Sequence, residues 1–193
     1  MSALKQHWKV IVITAFVTIV GVFAFHKVEQ FVDRTEFCVP CHSMSYNLAE
    51  LKESTHYGAL GVNPKCTDCH VPDHLIGEFQ AHVIDGVRSI LGELRLDLST
   101  IEKFDQHRPE MAHNARMRLK QWDSSPCRRC HKNPQPSSDS AMAAHKKMET
   151  EGATCIDCHQ NLVHKKVPEH DLNASLAQGK MVMKEEKKEK ESE

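Results

Sequence analysis

The sequence predicts a mostly α-helical chain with extensive loops, in which one N-terminal transmembrane helix precedes a domain built of two repeated modules. Three observations carry this fold class. Residues 10–25 form a run of sixteen without a single charge. Four Cys-x-x-Cys-His stretches begin at Cys38, Cys66, Cys127 and Cys155 and consume all 8 cysteines. The interval from Cys38 to Cys66 is 28 residues, and the interval from Cys127 to Cys155 is the same.

The apolar run comes first. At 1.5 Å per residue it spans about 24 Å, short of the roughly 30 Å hydrocarbon core. Trp8 and Lys9 at one interface and His26 and Lys27 at the other extend it enough to cross. A cleaved signal peptide shares this layout, but Val22-Phe23-Ala24-Phe25-His26 offers no small-residue cleavage site. The expected division is a cytoplasmic N-terminus at 1–9 and an uncleaved transmembrane anchor at 10–27, with everything after it outside the cytoplasm, in the periplasm of an inner (cytoplasmic) membrane. Val28, Phe31 and Val32 continue a helical period beyond the membrane edge.

Each Cys-x-x-Cys-His unit has the form that attaches c-type haem, with two thiols adding to porphyrin vinyl groups and the adjoining His reaching the iron. Paired Cys-x-x-Cys units also build zinc ribbons and thiol redox sites, but neither requires a His directly after every second Cys. The reading is four covalently bound c-type haems on Cys38, Cys41, Cys66, Cys69, Cys127, Cys130, Cys155 and Cys158, with His42, His70, His131 and His159 as proximal ligands by motif. Only 6% of the 193 residues are aromatic, so four porphyrins must supply most of the core of residues 28–170. A formal net charge of −1 gives no broad basic face for nucleic acid. Thioether-bound haem implies a compartment outside the cytoplasmic membrane.

The repeat extends to a further histidine. His56 follows His42 by 14 residues and His145 follows His131 by 14, which defines two di-haem modules, 38–70 and 127–159. Two-fold logic sends His56 to the second half and His145 to the first. His74 and His164 trail the modules at four and five residues, with His74 as a reserve ligand. Between the modules lies a helical insert, 71–126. Its apolar residues from Ile76 to Leu94 recur at three- and four-residue steps, giving one amphipathic helix that starts near Pro72 and Asp73. Loop and a short helix are expected over 97–108, and a more polar helix over 109–122. His82, His107 and His113 are expected on helix surfaces or against propionates, and His7, His26 and His170 in solvent. Residues 171–193 form a charged C-terminal tail, ending in a stretch with no apolar residue.

Together the four motifs, the anchor and the Cys-x-x-Cys-His-x-Met form of the first motif resemble the NapC/NirT family of membrane-anchored tetrahaem quinol dehydrogenases, which includes NrfH-type and CymA-like proteins. Supporting stretches are Cys38-Val-Pro-Cys41-His42-Ser-Met44, Ser54-Thr-His56-Tyr57, Cys69-His70-Val-Pro72, Glu102-Lys-Phe104 with His107-Arg108, and Val163-His164-Lys165. The resemblance implies oxidation of membrane quinol, menaquinol or ubiquinol, and delivery of electrons to a periplasmic oxidoreductase in anaerobic respiration. It implies that the first haem faces the quinol and takes Met44 rather than His42 as its protein ligand; the equivalent positions after the other motifs are Pro72, Asn133 and Asn161. It also implies His56, His145 and His164 as distal ligands.

The family's quinol site uses a Lys and an acid on the helix after the second motif. Arg88 and Ser89 stand near those positions here, with Asp85 as the expected proton acceptor and His82 next. Reverse flow, in which a periplasmic or extracellular donor reduces quinone, uses the same wire. A catalytic multihaem reductase would call for more haems or a Lys-ligated motif. Outside the quinol step the chain is an electron carrier, and oligomeric state is left open, a homo-oligomer included.

Overall fold

The computed structural model describes residues 2–180, with side chains from His7 onward. It is helical with long connections, and no β-strand occurs among the described residues. The charged stretch at 184–193 lies outside them.

Helix α1 (Ser2–Val32) is continuous through the apolar run and five residues past the expected membrane edge. Its stretch His7–Val32 is long and apolar enough to cross a membrane, and none of it is buried by the rest of the chain. A break at Asp33 and Arg34 leads into α2 (Thr35–Cys38), which carries the first thiol. Phe31 meets Phe37 edge to face, with ring centres 5.6 Å apart, and Thr67 Oγ1 donates to the Asp33 carbonyl at 3.0 Å. The anchor therefore ends directly on the first two motifs. Helix α3 (Met44–Glu53) follows, then α4 (Cys66–His70), which is the second motif itself.

The amphipathic helix forms, in three segments: α5 (Leu75–Phe79), a π-helical stretch Gln80–Asp85, and α6 (Gly86–Arg95). His74, rather than Pro72 or Asp73, caps it, its Nδ1 accepting the Gly77 N–H at 2.8 Å. Gly77 is required there, because a Cβ would lie 2.3 Å from His74 Cε1 and 2.4 Å from Pro72 Cγ.

Helix α7 (Ile101–Gln121) differs from the expectation of a helix beginning at Pro109. Thr100 starts it, its Oγ1 accepting the Lys103 N–H at 3.4 Å. Pro109 forfeits one backbone bond, yet the helix runs through because both flanks are packed: Phe104 and Arg108 before it are buried, as are His113, Arg116 and Met117 after it. The remaining elements are α8 (Ser125–Cys130), α9 (Asp139–Thr150), α10 (Cys155–Cys158) and α11 (Leu172–Ala177).

Helix α7 is the spine that joins the modules. Toward the first module Arg108 makes a two-pronged pair with Glu50 of α3 at 2.7 and 3.0 Å, and Arg118 reaches Asp85 at 2.7 Å. Toward the second, Lys120 holds Asp157 at 2.7 and 2.9 Å. Arg116 donates to the Gln160 and Pro168 carbonyls and to Asn161 Oδ1, tying down the loop after the fourth motif. The protein-only core is small: Met117, Ile156 and Leu172, with Leu119 against them. Leu172 is only 2% exposed, so packing continues past residue 170 and the first part of the expected tail belongs to the domain.

Candidate functional site

The second, third and fourth motifs place their thiols by forming short helices, whereas the first begins at the end of α2 and continues as a turn through Cys41. In the second and fourth motifs the residue between the cysteines is an Asp that caps the turn: Asp68 accepts the Lys65 N–H at 2.7 Å, and Asp157 accepts the Thr154 N–H at 2.8 Å. Within each module the first cysteines of the two motifs are neighbours, Cys38 beside Cys66 and Cys127 beside Cys155. The second and third motifs are also neighbours, since Arg129 of α8 pairs with Asp73 and with Asp68 (3.6 Å) and donates to the Val71 carbonyl. In space the motifs run in chain order.

Three of the four motif histidines face a second imidazole. Ring centres are 6.4 Å apart for His56 and His131, 6.2 Å for His70 and His164, and 6.2 Å for His145 and His159. A metal bridging two imidazoles through nitrogens at about 2.0 Å each puts the ring centres roughly 6.2 Å apart. The three pairs fit that separation, which is too long for ring stacking and too regular for accidental packing. His56 does cross to the second module. His145 does not cross to the first: it stays beside His159 of its own module, and His164 takes the place opposite His70.

His42 is different. Among the described residues it meets Tyr46 edge to face rather than a second imidazole, and its Nε2 lies 3.0 Å from Tyr46 Oη and 3.1 Å from the Ser99 carbonyl. Met44 opens α3 two residues on, with Asn47 Nδ2 3.9 Å from its sulfur. Between them Ser43 is buried, its N–H and Oγ both donating to the carboxylate of Glu93 on α6 at 3.2 and 2.5 Å. A cleft lined by His42, Glu93, Leu96, Asp97, Leu98 and Ser99 adjoins this motif.

The π-helical stretch carries two of the residues proposed for proton transfer, and such local widening of a helix recurs at functional sites. His82 Nε2 is 3.3 Å from Asp33 Oδ1 at the end of the anchor, and its Nδ1 is 3.1 Å from the Glu78 carbonyl. Asp85 Oδ1 is held by Arg118 at 2.7 Å and approached by Arg88 at 3.6 Å, while Oδ2 is buried without a partner. The outer side of this helix exposes Ile76, Phe79, Val87 and Leu94.

Two further histidines lie elsewhere than expected. His113 is fully buried, not on a helix surface; its Nε2 donates to the Lys180 carbonyl at 3.3 Å. His170, expected in solvent, meets it edge to face at 5.5 Å. Neither stands opposite a motif histidine. Glu50 and Glu93, which organise the surroundings of His164 and Met44, carry no sequence signal beyond their helical positions; only tertiary contact reveals them.

Residues 1–170 match the NapC/NirT cytochrome c family, N-terminal region. The chain is 62% identical over 161 residues to a probable tetrahaem cytochrome c-type protein of Nitrosomonas europaea, covering 82% of this chain and 69% of that protein. It is 36% identical over 162 residues to the cytochrome c-type protein NapC of Haemophilus influenzae, covering 80% and 79%. It is 35% identical over 173 residues to TorY of the same organism, covering 85% of this chain and 45% of that one. No solved structure matches.

Proposed function

Because the chain belongs to the NapC/NirT cytochrome c family and carries four covalently bound c-type haems, we propose that it oxidises membrane quinol and passes the electrons along its haems to a periplasmic oxidoreductase. When bound, the haems supply one-electron redox chemistry at potentials set by their ligands and surroundings. The residues of this chain do the rest. His131 with His56, His70 with His164, and His159 with His145 would hold three of the haem irons. Met44, at the start of α3 next to the Ser43 that Glu93 fixes, would hold the first. The observation that carries this reading is the contrast between three imidazole pairs at 6.2–6.4 Å and His42, whose ring meets Tyr46 instead.

Quinol releases two protons as its two electrons leave, so a base must stand near the first motif. His82 suits this task better than Asp85. A proton taken up by the His82 ring is held between the Asp33 carboxylate and the Glu78 carbonyl, whereas two guanidinium groups already engage Asp85. Asp33 stands five residues before Cys38 at the foot of the anchor, so His82 would act next to the first motif. Arg88, 64% exposed, orients substrate at the rim. The apolar outer side of the helix faces the bilayer, where the quinol pool lies, with the N-terminus in the cytoplasm and the modules 38–70 and 127–159 in the periplasm.

Redox-titrated electron paramagnetic resonance of the purified protein tests the assignment. Three low-spin haems and one high-spin haem are expected, with a quinol analogue perturbing the high-spin signal alone. Four low-spin haems would refute it. His82→Gln should slow quinol-dependent reduction by about a hundredfold, within the usual range for losing a general base, and leave reduction by dithionite intact. Asp85→Asn should have the smaller effect; the reverse order would return the role to Asp85.

A further inference from the structure

We propose that Glu50 sets the potential of one haem, holding the centre between His70 and His164 at a lower potential than it would otherwise have. This rests on the ligand reading above. Glu50 Oε2 lies 3.4 Å from His164 Nδ1. The Nδ1 atoms of His56, His145 and His164 are all buried without a hydrogen-bond partner. Among the described residues, only that of His164 has a carboxylate within ion-pair distance.

The placement is built rather than incidental. Glu50 is fixed from three directions: Arg108 binds it with both terminal nitrogens, and the Lys165 N–H donates to Oε2 at 3.1 Å. Arg108 is itself buried, lies over the Phe104 ring at 4.7 Å and is held by Asp105 at 2.7 Å. Lys165 Nζ closes the cluster on Asp105. Two acids, Glu50 and Asp105, are matched by two bases, Arg108 and Lys165. The distant fields cancel, and what remains at the haem is the direct contact of one carboxylate with one imidazole. A carboxylate behind a metal-bound imidazole makes the ring a stronger donor and favours the oxidised metal.

The same geometry makes this haem separable from the others. The His70 and His164 rings are nearly parallel, 29° apart, whereas the other pairs stand at 78° and 86°. Near-parallel imidazoles give a rhombic low-spin signal and near-perpendicular ones a strongly axial signal, so one rhombic signal can be followed through a titration.

The test is potentiometry of the full-length tetrahaem protein, with electron paramagnetic resonance monitoring the rhombic signal, on four variants. Glu50→Gln should raise that haem's potential and leave the two axial signals unmoved. Asp105→Asn removes a charge from the same cluster without touching His164, and should shift it less. Glu50→Asp, which keeps the charge but shortens the reach, should fall between. His164→Ala should abolish the rhombic signal. If Glu50→Gln shifts the potential no more than Asp105→Asn does, the contact has no special role and the inference is overturned. A rhombic signal that survives His164→Ala overturns the ligand reading itself, and the inference with it.

Discussion

Asp68 and Asp157 occupy the same place in their motifs, and the structure assigns them very different weights. Both cap a one-turn helix between two haem-bearing cysteines. Asp157 also receives Lys120 through both oxygens, and the two side chains are 9% and 7% exposed. Asp68 has only Arg129 at 3.6 Å, with both partners 34% exposed. Asparagine caps a helix about as well as aspartate, so a change to Asn isolates the charge. Asp157→Asn strands a buried ammonium and should cost about 3 kcal/mol. Asp68→Asn loses an exposed pair and should cost under about 1 kcal/mol. With a urea slope of roughly 2 kcal/mol per molar, the midpoints should fall by about 1.5 M and under about 0.5 M. The assay is urea titration in detergent, followed by the low-spin Soret band. Burial pushes the Asp157 carboxyl up, but Lys120 and the Thr154 N–H outweigh burial and hold it below the usual carboxylate range. A carboxyl so depressed contributes stability above its unfolded value and loses it as pH falls through its folded one. The gap between wild type and Asp157→Asn should therefore be full at pH 7 and close below about pH 4. Equal midpoint shifts for the two variants, or a gap that persists in acid, would refute the reasoning.

His56→Ala, His145→Ala and His164→Ala should each convert one low-spin haem to high spin, counted by electron paramagnetic resonance. His113→Ala should leave all three low-spin signals in place while lowering the urea midpoint, because His113 is fully buried and binds the Lys180 carbonyl. Gly77→Ala, whose Cβ would strike His74 and Pro72, should destabilise by about 1–3 kcal/mol and slow quinol oxidation, read by stopped flow, without changing the haem content. Removing residues 1–27 behind a cleavable signal should give a tetrahaem protein that dithionite reduces normally and membrane quinol reduces poorly.

What the sequence makes legible is what local spacing determines. The thiols and motif histidines follow from five consecutive residues, and the anchor from an uncharged run. Helix α7 shows where local reading stops: Pro109 looks like a beginning, but buried Phe104 and Arg108 on one side and Met117 on the other carry the helix through it. The buried charges are equally hidden. Nothing in the neighbourhood of Lys120 or Glu50 marks either as paired, because Asp157 and Arg108 are 37 and 58 residues away.

The pairing of the histidines shows most clearly how a repeat can mislead. Two copies of one module suggest a symmetric exchange of histidines, and His56 opposite His131 conforms to it. The symmetry breaks at the trailing histidines. In the first module His74 Nδ1 is occupied in capping α5, so His74 lies in the insert as a helix start. In the second module the trailing loop is gripped by Arg116 at Gln160, Asn161 and Pro168, and Lys165 N–H is drawn to Glu50. Those contacts carry His164 back over the first module to His70. With that position filled, His145 has no opening there and meets His159, the end of its own repeat. One helix cap and one clamped loop thus convert a nearly symmetric sequence into an asymmetric series of centres, in which His42 is left opposite no imidazole and the end nearest the membrane is distinct from the end farthest from it.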